Sequence, residues 1–284
     1  MSISTGVADL HMHTTASDGT STVKERVKQA EERNLKAIAI TDHDTVSDEL
    51  GAGSEMRAGV ELITGVEVRA DLFDTKIEIL GYFIDPDNEK LEYVLETARE
   101  YRHQRNEKMV ANLNEVTGLR LSLQQLRDEV DGELGRPHLA ERLVSEGLAD
   151  SIGDAFDDYL GKDGDVYVPM ERVPYDEVLD AIHSAGEVAS LAHPGRISSD
   201  RVPEMVEELA EAGIDAIEVW YPYGGIKSDR HADIGVEGAE QLAEEHGLVK
   251  TGGSDCHGPD SGKFRIGEVR VPREEFEKLK ELAE

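Results

Sequence analysis

Short apolar segments that end in His, Asp or Glu recur along this chain, and they restrict its possible folds more than any other feature of the sequence. Such segments, separated by loops and helical patterns, are typical of buried parallel strands in βα units. Because the carboxyl ends of parallel strands meet at one end of a barrel, we expect the polar residues to form one site. Strands are predicted at 7–11, 37–41, 62–68, 77–84, 188–192, 216–220 and 248–251, with an edge strand at 266–271.

A long helical stretch interrupts this series. Between residues 89 and 165 the apolar pattern is helical, without a clear strand. The seven βα units predict a barrel rather than an open sheet. We therefore expect an α/β fold in which residues 1–88 and 166–284 form the two parts of a barrel and residues 89–165 form a helical insertion, or cap domain.

The charge of the chain limits the partners that it can bind. It has 61 Asp and Glu against 30 Lys and Arg, a formal net charge of −31, while 38% of its residues are hydrophobic. This balance disfavours binding of duplex DNA through a broad basic face, but it permits binding of a small anion at a cluster of cations. We interpret the acidic excess as adaptation to a salt-rich, or halophilic, cytoplasm, where salt screens the repulsion. An ordinary acidic mesophilic protein is the alternative.

Three features of the sequence predict a cytoplasmic protein without membrane association. The first residues lack the basic start and apolar run of a signal peptide, and no stretch approaches transmembrane length. The single cysteine excludes an internal disulfide and fits a reducing compartment. The oligomeric state is left open by the sequence.

Two motifs place pairs of metal-binding side chains on one face of a strand end. His11 and His13 are two residues apart, so both imidazoles point to the same side. Asp255 and His257 repeat this spacing after the last predicted strand. Asp9 shares the parity of the first pair, and we expect its carboxylate to accept a hydrogen bond from an imidazole. One such pair is a weak indication, but two converging pairs favour a metal site.

Each of the other candidate ligands has a structural alternative. His43 could lie in a loop or cap a helix, Glu67 could be a surface carboxylate, and His193 could be a hydrogen-bonded histidine before a proline. Their shared position at strand ends makes these alternatives a poor account of the whole set, since clustered charges and buried imidazoles would remain uncompensated. The set predicts an enzyme with a multinuclear metal centre.

Five motifs resemble the successive motifs of the PHP family, the polymerase and histidinol phosphatase domain. The resemblance covers nearly the whole chain, and the motifs are Asp9-Leu10-His11-Met12-His13-Thr14, Thr41-Asp42-His43-Asp44, Gly65-Val66-Glu67, Ala192-His193-Pro194-Gly195-Arg196 and Gly253-Ser254-Asp255-Cys256-His257-Gly258. The insertion, with Gly135-Arg136-Pro137-His138, resembles that of stand-alone PHP phosphoesterases. Members of that branch release phosphate from nucleoside 3′,5′-bisphosphates or trim short RNA from its 5′ end.

The resemblance implies a distorted (β/α)7 barrel that binds three divalent metal ions. The ligands that it implies are His11, His13, Glu67 and Asp255 for one ion, Glu67, Glu78 and His193 for a second, and Asp18, His43 and His257 for a third. Position 78 departs from the pattern, because the family usually has His there. A carboxylate can still bind a metal ion, and it favours Mn²⁺ or Fe²⁺ over Zn²⁺, although Zn²⁺ remains an option. The alternative is that Glu78 points away and that only two ions bind.

The implied activity is that of a metal-dependent phosphoesterase. Hydroxide on the metal ions that Glu67, His193 and Asp255 hold would attack the phosphate ester, so the mechanism requires no Ser or Cys nucleophile. The expected substrate is a small phosphorylated molecule, a nucleotide or short RNA. The residues expected to contact it are Arg102, Arg105, Arg136, His138 and Arg196.

Two other functions stay open on sequence grounds. A histidinol phosphatase is one, and the helical insertion and the additional Arg residues disfavour it. A non-catalytic accessory module of the kind attached to DNA polymerases is the other, and a nearly complete ligand set disfavours it. The Arg residues of the insertion could also simply offset neighbouring Glu residues.

Overall fold

The computed structural model describes residues 6–129, 134–186, 188–223, 234–259 and 265–283. The strands are β1 (Ala8–Asp9), β2 (Ala37–Ile40), β3 (Ser54–Arg57), β4 (Val60–Leu72), β5 (Thr75–Tyr82), β6 (Val173–Pro174), β7 (Val188–Leu191), β8 (Ala216–Trp220) and β9 (Val249–Gly252). The helices are α1 (Val23–Glu32), α2 (Glu89–Thr117), α3 (Leu123–Asp128), α4 (Arg136–Ser145), α5 (Ile152–Ala155), α6 (Tyr175–Ala185), α7 (Val202–Glu211), α8 (Val236–His246) and α9 (Arg273–Leu282). A π-helical segment (Phe156–Leu160) follows α5, and a 3-10 turn (Pro194–Arg196) follows β7.

The chain divides into two compact units. The first contains Met1–Glu96 and Arg172–Glu284, and the second contains Thr97–Glu171. The first division falls inside α2, whereas the sequence pattern placed it at residue 88. Helical periodicity continues unbroken through α2, so the sequence pattern carries no mark of the point where the chain passes from one unit to the other.

Seven strands of the first unit form one continuous sheet in the order β1-β2-β4-β5-β7-β8-β9, with β3 and β6 paired to β4. The two ends of this sheet meet, because the amide of Leu10 donates to the carbonyl of Gly252 at 3.1 Å and the amide of Asp255 donates to the carbonyl of His11 at 2.9 Å. The sheet is thus a nearly closed barrel, and the prediction of an α/β barrel is confirmed.

Strand β5 runs against the direction that the βα pattern predicted. It pairs antiparallel with β4 from Gly65–Tyr82 to Leu72–Thr75, and it also pairs antiparallel with β7. Only Phe73 and Asp74 connect β4 to β5, and both have positive φ, 54° and 58°. This is the conformation of a two-residue hairpin, whereas a parallel crossover needs about a dozen residues. The prediction of a parallel βα unit is therefore wrong at this strand.

The edge strand predicted at 266–271 is also wrong. The segment is a series of turns that ends in a single antiparallel bridge between Val271 and Ala8. Gly267 has a φ of 70°, and its amide donates to the carboxylate of Asp9 at 2.6 Å. The turn that this hydrogen bond holds prevents the segment from extending along the sheet.

Helix α1 anchors two of the strand ends that carry polar residues. Thr22 caps it, with the amide of Glu25 donating to the Thr22 hydroxyl at 3.3 Å and the amide of Thr22 donating to the Glu25 carboxylate at 2.8 Å. Arg26 is fully buried on this helix, and its guanidinium donates to the carbonyls of His13 at 2.6 Å and Cys256 at 2.8 Å. A buried cation requires such partners, so Arg26 fixes the loop ends after β1 and β9 beside each other.

The second unit has an apolar core of its own. Buried Leu113, Leu126, Leu139, Leu143 and Leu160 belong to one cluster of side chains from α2, α3, α4 and the π-helical segment. Over the part of the chain that the structure describes, no helix has both the length and the apolar character of a membrane span.

Candidate metal centre

The nine predicted metal ligands lie together in the first unit. Their ligand atoms form four overlapping groups within which all atoms are within 4.8 Å of one another, namely His13-Asp18-His43-His257, His11-His13-Asp255, His11-Glu67-His193 and His43-Glu67-Glu78. Seven of the nine side chains are buried. Asp18 is the most open, with 36% of its side chain exposed, and His43 follows with 11%. The structure therefore brings the whole predicted set into one cluster.

Glu67 lies at the centre of this cluster. Its Oε2 atom is 3.5 Å from Nε2 of both His11 and His13, and 2.8 Å from Nδ1 of His43. Its other oxygen, Oε1, is 3.0 Å from Nε2 of His193. A carboxylate whose two oxygens face different sets of imidazoles can bridge two metal ions.

Asp255 presents one oxygen to the cluster and has the other held by donors. Its Oδ1 is 3.1 Å from Nε2 of His13 and 3.7 Å from Nε2 of His11. Its Oδ2 accepts hydrogen bonds from the Tyr221 hydroxyl at 2.8 Å and from Nη1 of Arg196 at 3.0 Å. The orientation of this carboxylate is thus fixed by two side chains, of which the sequence analysis singled out only Arg196.

Asp18 gathers the imidazoles on the more open side of the cluster. Its Oδ1 is 3.3 Å from Nε2 of His257, and its Oδ2 is 3.8 Å from Nε2 of His43. Nδ1 of His257 lies 2.8 Å from the carbonyl oxygen of Asp255. Because a carbonyl only accepts, Nδ1 carries the proton and Nε2 is left to bind a cation.

Four buried atoms at the centre make no hydrogen bond within the described residues: Nε2 of His11, Nδ1 of His13, Nδ1 of His43 and Oε2 of Glu67. The 2.8 Å approach of His43 to Glu67 is not in hydrogen-bond geometry. Unsatisfied buried polar atoms are costly, at roughly 1–3 kcal/mol each. Imidazole nitrogens and a carboxylate oxygen that converge in this way are donors suited to divalent metal ions, so the residues present fit the ions that the family resemblance implies.

The charges around the centre act differently on its imidazoles and its carboxylates. Burial acts to lower the pKa of His11, but the carboxylates of Glu218 and Glu67 outweigh it and hold that pKa well above its usual range. Burial and the nearby Arg69 guanidinium lower the pKa of His43 to about 4, so this imidazole is neutral at pH 7. Burial acts to raise the pKa of Asp18 and Glu67, but neighbouring imidazoles, His43 first among them, outweigh it and hold both pKa values below the usual range. Neutral imidazoles and ionised carboxylates are the forms that bind metal, so an ion that binds at His11 would displace a proton from it.

Glu218 is a residue beside the metal ligands that the sequence analysis missed. It is fully buried on β8, and its carboxylate oxygens lie 3.1 and 3.2 Å from Nδ1 of His11. It also accepts a hydrogen bond from the amide of His193 at 2.8 Å. An ionised carboxylate only accepts, so His11 donates from Nδ1 and directs Nε2 at Glu67. The available signal was an acidic residue within the apolar strand Ala216–Trp220.

Asp9 does not hold an imidazole, so that prediction is wrong. Its carboxylate accepts from the amide of Ser254 at 2.8 Å, the hydroxyl of Ser254 at 2.7 Å and the amide of Gly267 at 2.6 Å. These donors come from loops whose proximity the sequence does not reveal. Asp9 instead joins those two loops to each other, and the contact with an imidazole that was expected of it is made by Glu218.

The backbone at the ligands is closely packed and locally strained. A Cβ atom on Gly253 would lie 2.4 Å from the amide nitrogen of His11, so this close approach requires glycine. His193 and Asp255 have positive φ values of 26° and 51°. Non-glycine residues in this region are uncommon and occur often at functional sites.

Glu78 points toward the centre rather than away from it. Its Oε2 is 3.6 Å from Nε2 of His193. Its Oε1 lies 2.8 Å from Nζ of Lys76 and 3.2 Å from Nε of Arg69. Burial acts to raise the pKa of Glu78, but Lys76, His193 and Arg69 outweigh it, and the carboxyl stays ionised at neutral pH. Metal binding by Glu78 remains a prediction that this geometry allows.

Two of the predicted substrate residues begin α4 in the second unit. Nη1 of Arg136 is 3.5 Å from the carbonyl of Leu160, and its guanidinium lies 5.6 Å from the centre of the Phe156 ring. Nδ1 of His138 accepts a hydrogen bond from the amide of Gly135 at 3.0 Å. This bond gives His138 a capping role at the helix start, and substrate binding by either residue remains a prediction.

The other two lie on the part of α2 that belongs to the second unit. Arg102 is buried, and Nε of Arg105 donates to the carbonyl of Val168 at 3.1 Å. Their substrate contacts also remain predictions. The fifth predicted substrate residue, Arg196, lies in the first unit with the metal ligands, and its Nη1 donates a hydrogen bond to Asp255.

Comparison with known proteins gives a consistent result. The family model of the PHP domain matches residues 9–185. The chain is 34% identical over 260 residues to the 5′-3′ exoribonuclease Rnm of Escherichia coli. The aligned region covers 89% of this chain and 86% of that protein. It is 31% identical over 266 residues to a 3′,5′-nucleoside bisphosphate phosphatase of Chromobacterium violaceum. This aligned region covers 91% of the chain and 90% of that protein.

A solved structure shares the architecture of the chain. It is a Bifidobacterium adolescentis protein described as a metal-dependent phosphoesterase, with a TM-score of 0.78 and 28% sequence identity over 99% of this chain and 97% of that chain. The family model covers the residues from the first strand into α6, and the relatives match over most of their own length. The chain therefore belongs to the PHP domain family.

Proposed function

We propose that the chain hydrolyses phosphate monoesters of nucleotides such as nucleoside 3′,5′-bisphosphates, or cleaves short RNA from its 5′ end, at a centre of two or three divalent metal ions. The broader class, a metal-dependent phosphoesterase among the hydrolases, follows from the family. The observation that carries the proposal is the convergence of nine ligand side chains, Glu67 among them, in one cluster. The names of the two relatives support the substrate class.

The residues of the cluster divide the chemical work between them. Divalent ions bound there would lower the pKa of a coordinated water and stabilise charge on the phosphate oxygens. Glu67, His193 and Asp255 are the residues that would hold the ions next to the reacting phosphate. Glu218 fixes the orientation of His11. The carboxylate that Glu78 adds to the donor set favours Mn²⁺ or Fe²⁺ over Zn²⁺.

A phosphate-release screen tests this proposal. Purified protein in molar KCl with Mn²⁺ would be given adenosine 3′,5′-bisphosphate, 5′-phosphorylated short RNA, histidinol phosphate, p-nitrophenyl phosphate and duplex DNA. We expect the highest kcat/KM for the bisphosphate or for the short RNA. A higher kcat/KM for histidinol phosphate would replace the nucleotide proposal, and no hydrolysis of any substrate would favour a non-catalytic module.

Arg136 tests the part of the proposal that concerns a second phosphate. It stands at the first residue of α4, where helix amides also favour an anion. We expect Arg136→Ala to lower kcat/KM for adenosine 3′,5′-bisphosphate, mostly through KM, because a charge-assisted hydrogen bond is lost. The loss should correspond to about 1.5–3 kcal/mol of transition-state stabilisation. For p-nitrophenyl phosphate, which has no second phosphate, the change should be small.

The matched control for this variant is Arg142→Ala on the same helix. Arg142 pairs with Glu129 at 3.2 Å and with Glu146 at 2.7 Å, so its loss should leave both substrates unaffected. Equal losses on both substrates in Arg136→Ala would instead assign Arg136 to the scissile phosphate or to the structure of the second unit.

We also propose that the acidic surface is an adaptation to a salt-rich cytoplasm. The net charge of −31 makes the folded chain repel itself, and salt shortens the screening length to about 3 Å at 1 M. The melting temperature should therefore rise as KCl increases from about 0.1 M to 2 M. A melting temperature that stays flat or falls over this range would refute the adaptation.

A further inference from the structure

Arg69 is not one of the nine ligands, and it faces Glu78 across the β4–β5 hairpin. The two residues are direct partners in the antiparallel register. Glu67 is two residues before Arg69 on β4, so the side chains of Glu67 and Arg69 lie on the same face of the strand. Only 18% of the Arg69 side chain is exposed. The hairpin thus places a largely buried cation directly beside the proposed metal ligands.

The guanidinium of Arg69 joins two carboxylates that adjoin the cluster. Its Nε is 3.2 Å from Oε1 of Glu78, and its Nη1 donates to Oδ2 of Asp44 at 3.0 Å. The backbone amide of Arg69 donates to the other oxygen of Asp44 at 3.1 Å. Asp44 follows His43 in sequence, and its own amide donates to the carbonyl of Glu67 at 2.9 Å. Arg69 therefore links Glu78 to the backbone that carries His43 and Glu67.

The two oxygens of Glu78 have different surroundings. Both cations, Arg69 and Lys76, lie against Oε1. The other oxygen, Oε2, faces Nε2 of His193 at 3.6 Å. A carboxylate with one oxygen fixed by cations and the other directed at an imidazole has the asymmetry of a ligand that is held in place for a metal ion.

We propose that Arg69 is a positioning residue, which binds one oxygen of Glu78 so that the other is directed at the metal centre and which offsets the negative charge that Glu78 adds there. This inference rests on the metal centre of the proposed function. A lysine cannot fill the role, because a single ammonium group lacks the planar fork that reaches both Glu78 and Asp44. An imidazole at position 78 would be a neutral ligand and would need no such cation.

Mn²⁺ titration calorimetry on the purified metal-free chain, with the metal content after gel filtration, tests this role. Arg69→Met and Arg69→Lys should each weaken the binding of one Mn²⁺ ion by about 10–100-fold and lower the retained metal by up to one ion per chain. Adding Glu78→His to either variant should restore most of that affinity. The control Arg57→Met removes an Arg–Glu pair on β3 and should leave Mn²⁺ binding unchanged.

The design separates positioning from a merely structural role. A structural Arg69 would lower the melting temperature of the metal-free chain, and Glu78→His would not restore Mn²⁺ binding; that result would overturn the inference. Wild-type Mn²⁺ affinity in Arg69→Met would overturn it as well, and Arg69→Lys decides the question if Arg69→Met does not fold. If the wild-type chain itself bound no Mn²⁺, the proposed function would fail. If the wild type binds Mn²⁺ and hydrolyses substrate, and the Arg69 variants do so equally well, only the positioning role is refuted.

Discussion

Asp255→Asn is expected to lower kcat/KM for phosphate release by about 10²–10³-fold or more, the largest effect of any single change considered for this chain. The substitution keeps the shape of the side chain, and an amide oxygen can still accept the hydrogen bond from Tyr221 or Arg196. It removes the negative charge that faces His13 and His11 at 3.1 and 3.7 Å. Less bound metal and slower hydrolysis should therefore appear together, while the circular dichroism spectrum stays that of the wild type.

Asp180→Asn is the matched control for this prediction. Asp180 lies on α6 with 70% of its side chain exposed and pairs with Lys90. The same chemical change there should therefore leave metal content and hydrolysis intact. If Asp255→Asn retained wild-type activity and metal content, Asp255 would not be a metal ligand.

Glu218→Gln carries the second largest expected effect. Glutamine has the size of glutamate and can accept the hydrogen bond from the His193 amide, so the fold should survive. It lacks the charge that fixes the donor state of His11 Nδ1. A carboxylate behind a metal-bound imidazole typically contributes about 10–100-fold in metal affinity or activity. We expect a loss of that size in Mn²⁺ affinity, measured by titration calorimetry.

The control is Glu208→Gln on α7. The carboxylate of Glu208 accepts a hydrogen bond from the Tyr175 hydroxyl at 2.5 Å. It should bind Mn²⁺ as the wild type does. An undiminished Mn²⁺ affinity in Glu218→Gln would show that His11 is oriented by its packing alone.

The ligand cluster was predictable because strand direction and side-chain alternation determine where strand-end residues lie. His11 and His13 share a face by period-two alternation, and parallel strands bring their carboxyl ends together. The same spacing predicted Asp255 and His257, although both follow the end of β9 and Asp255 has a positive φ of 51°. The structure places all of them in one cluster.

The features that sequence reasoning missed depend on contacts between distant segments. β5 was assigned the wrong direction because the predicted strands end at 68 and resume at 77, and that gap hides the two-residue turn at Phe73 and Asp74. Asp9 was assigned the wrong partner because the amide of Gly267, 258 positions away, occupies its carboxylate. Glu218 was overlooked because its strand reads as uniformly buried, and only the proximity of His11 gives its charge a function.

The most direct test of the account is an anomalous difference map of crystals grown with Mn²⁺, recorded near the manganese absorption edge. We expect two or three peaks within about 2.5 Å of ligand atoms. One should lie between Glu67 and His193. Another should lie either between His13 and Asp255 or among Asp18, His43 and His257. A map without any peak inside this cluster, from protein that hydrolyses phosphate esters with Mn²⁺, would contradict the assignment of these residues as the metal centre.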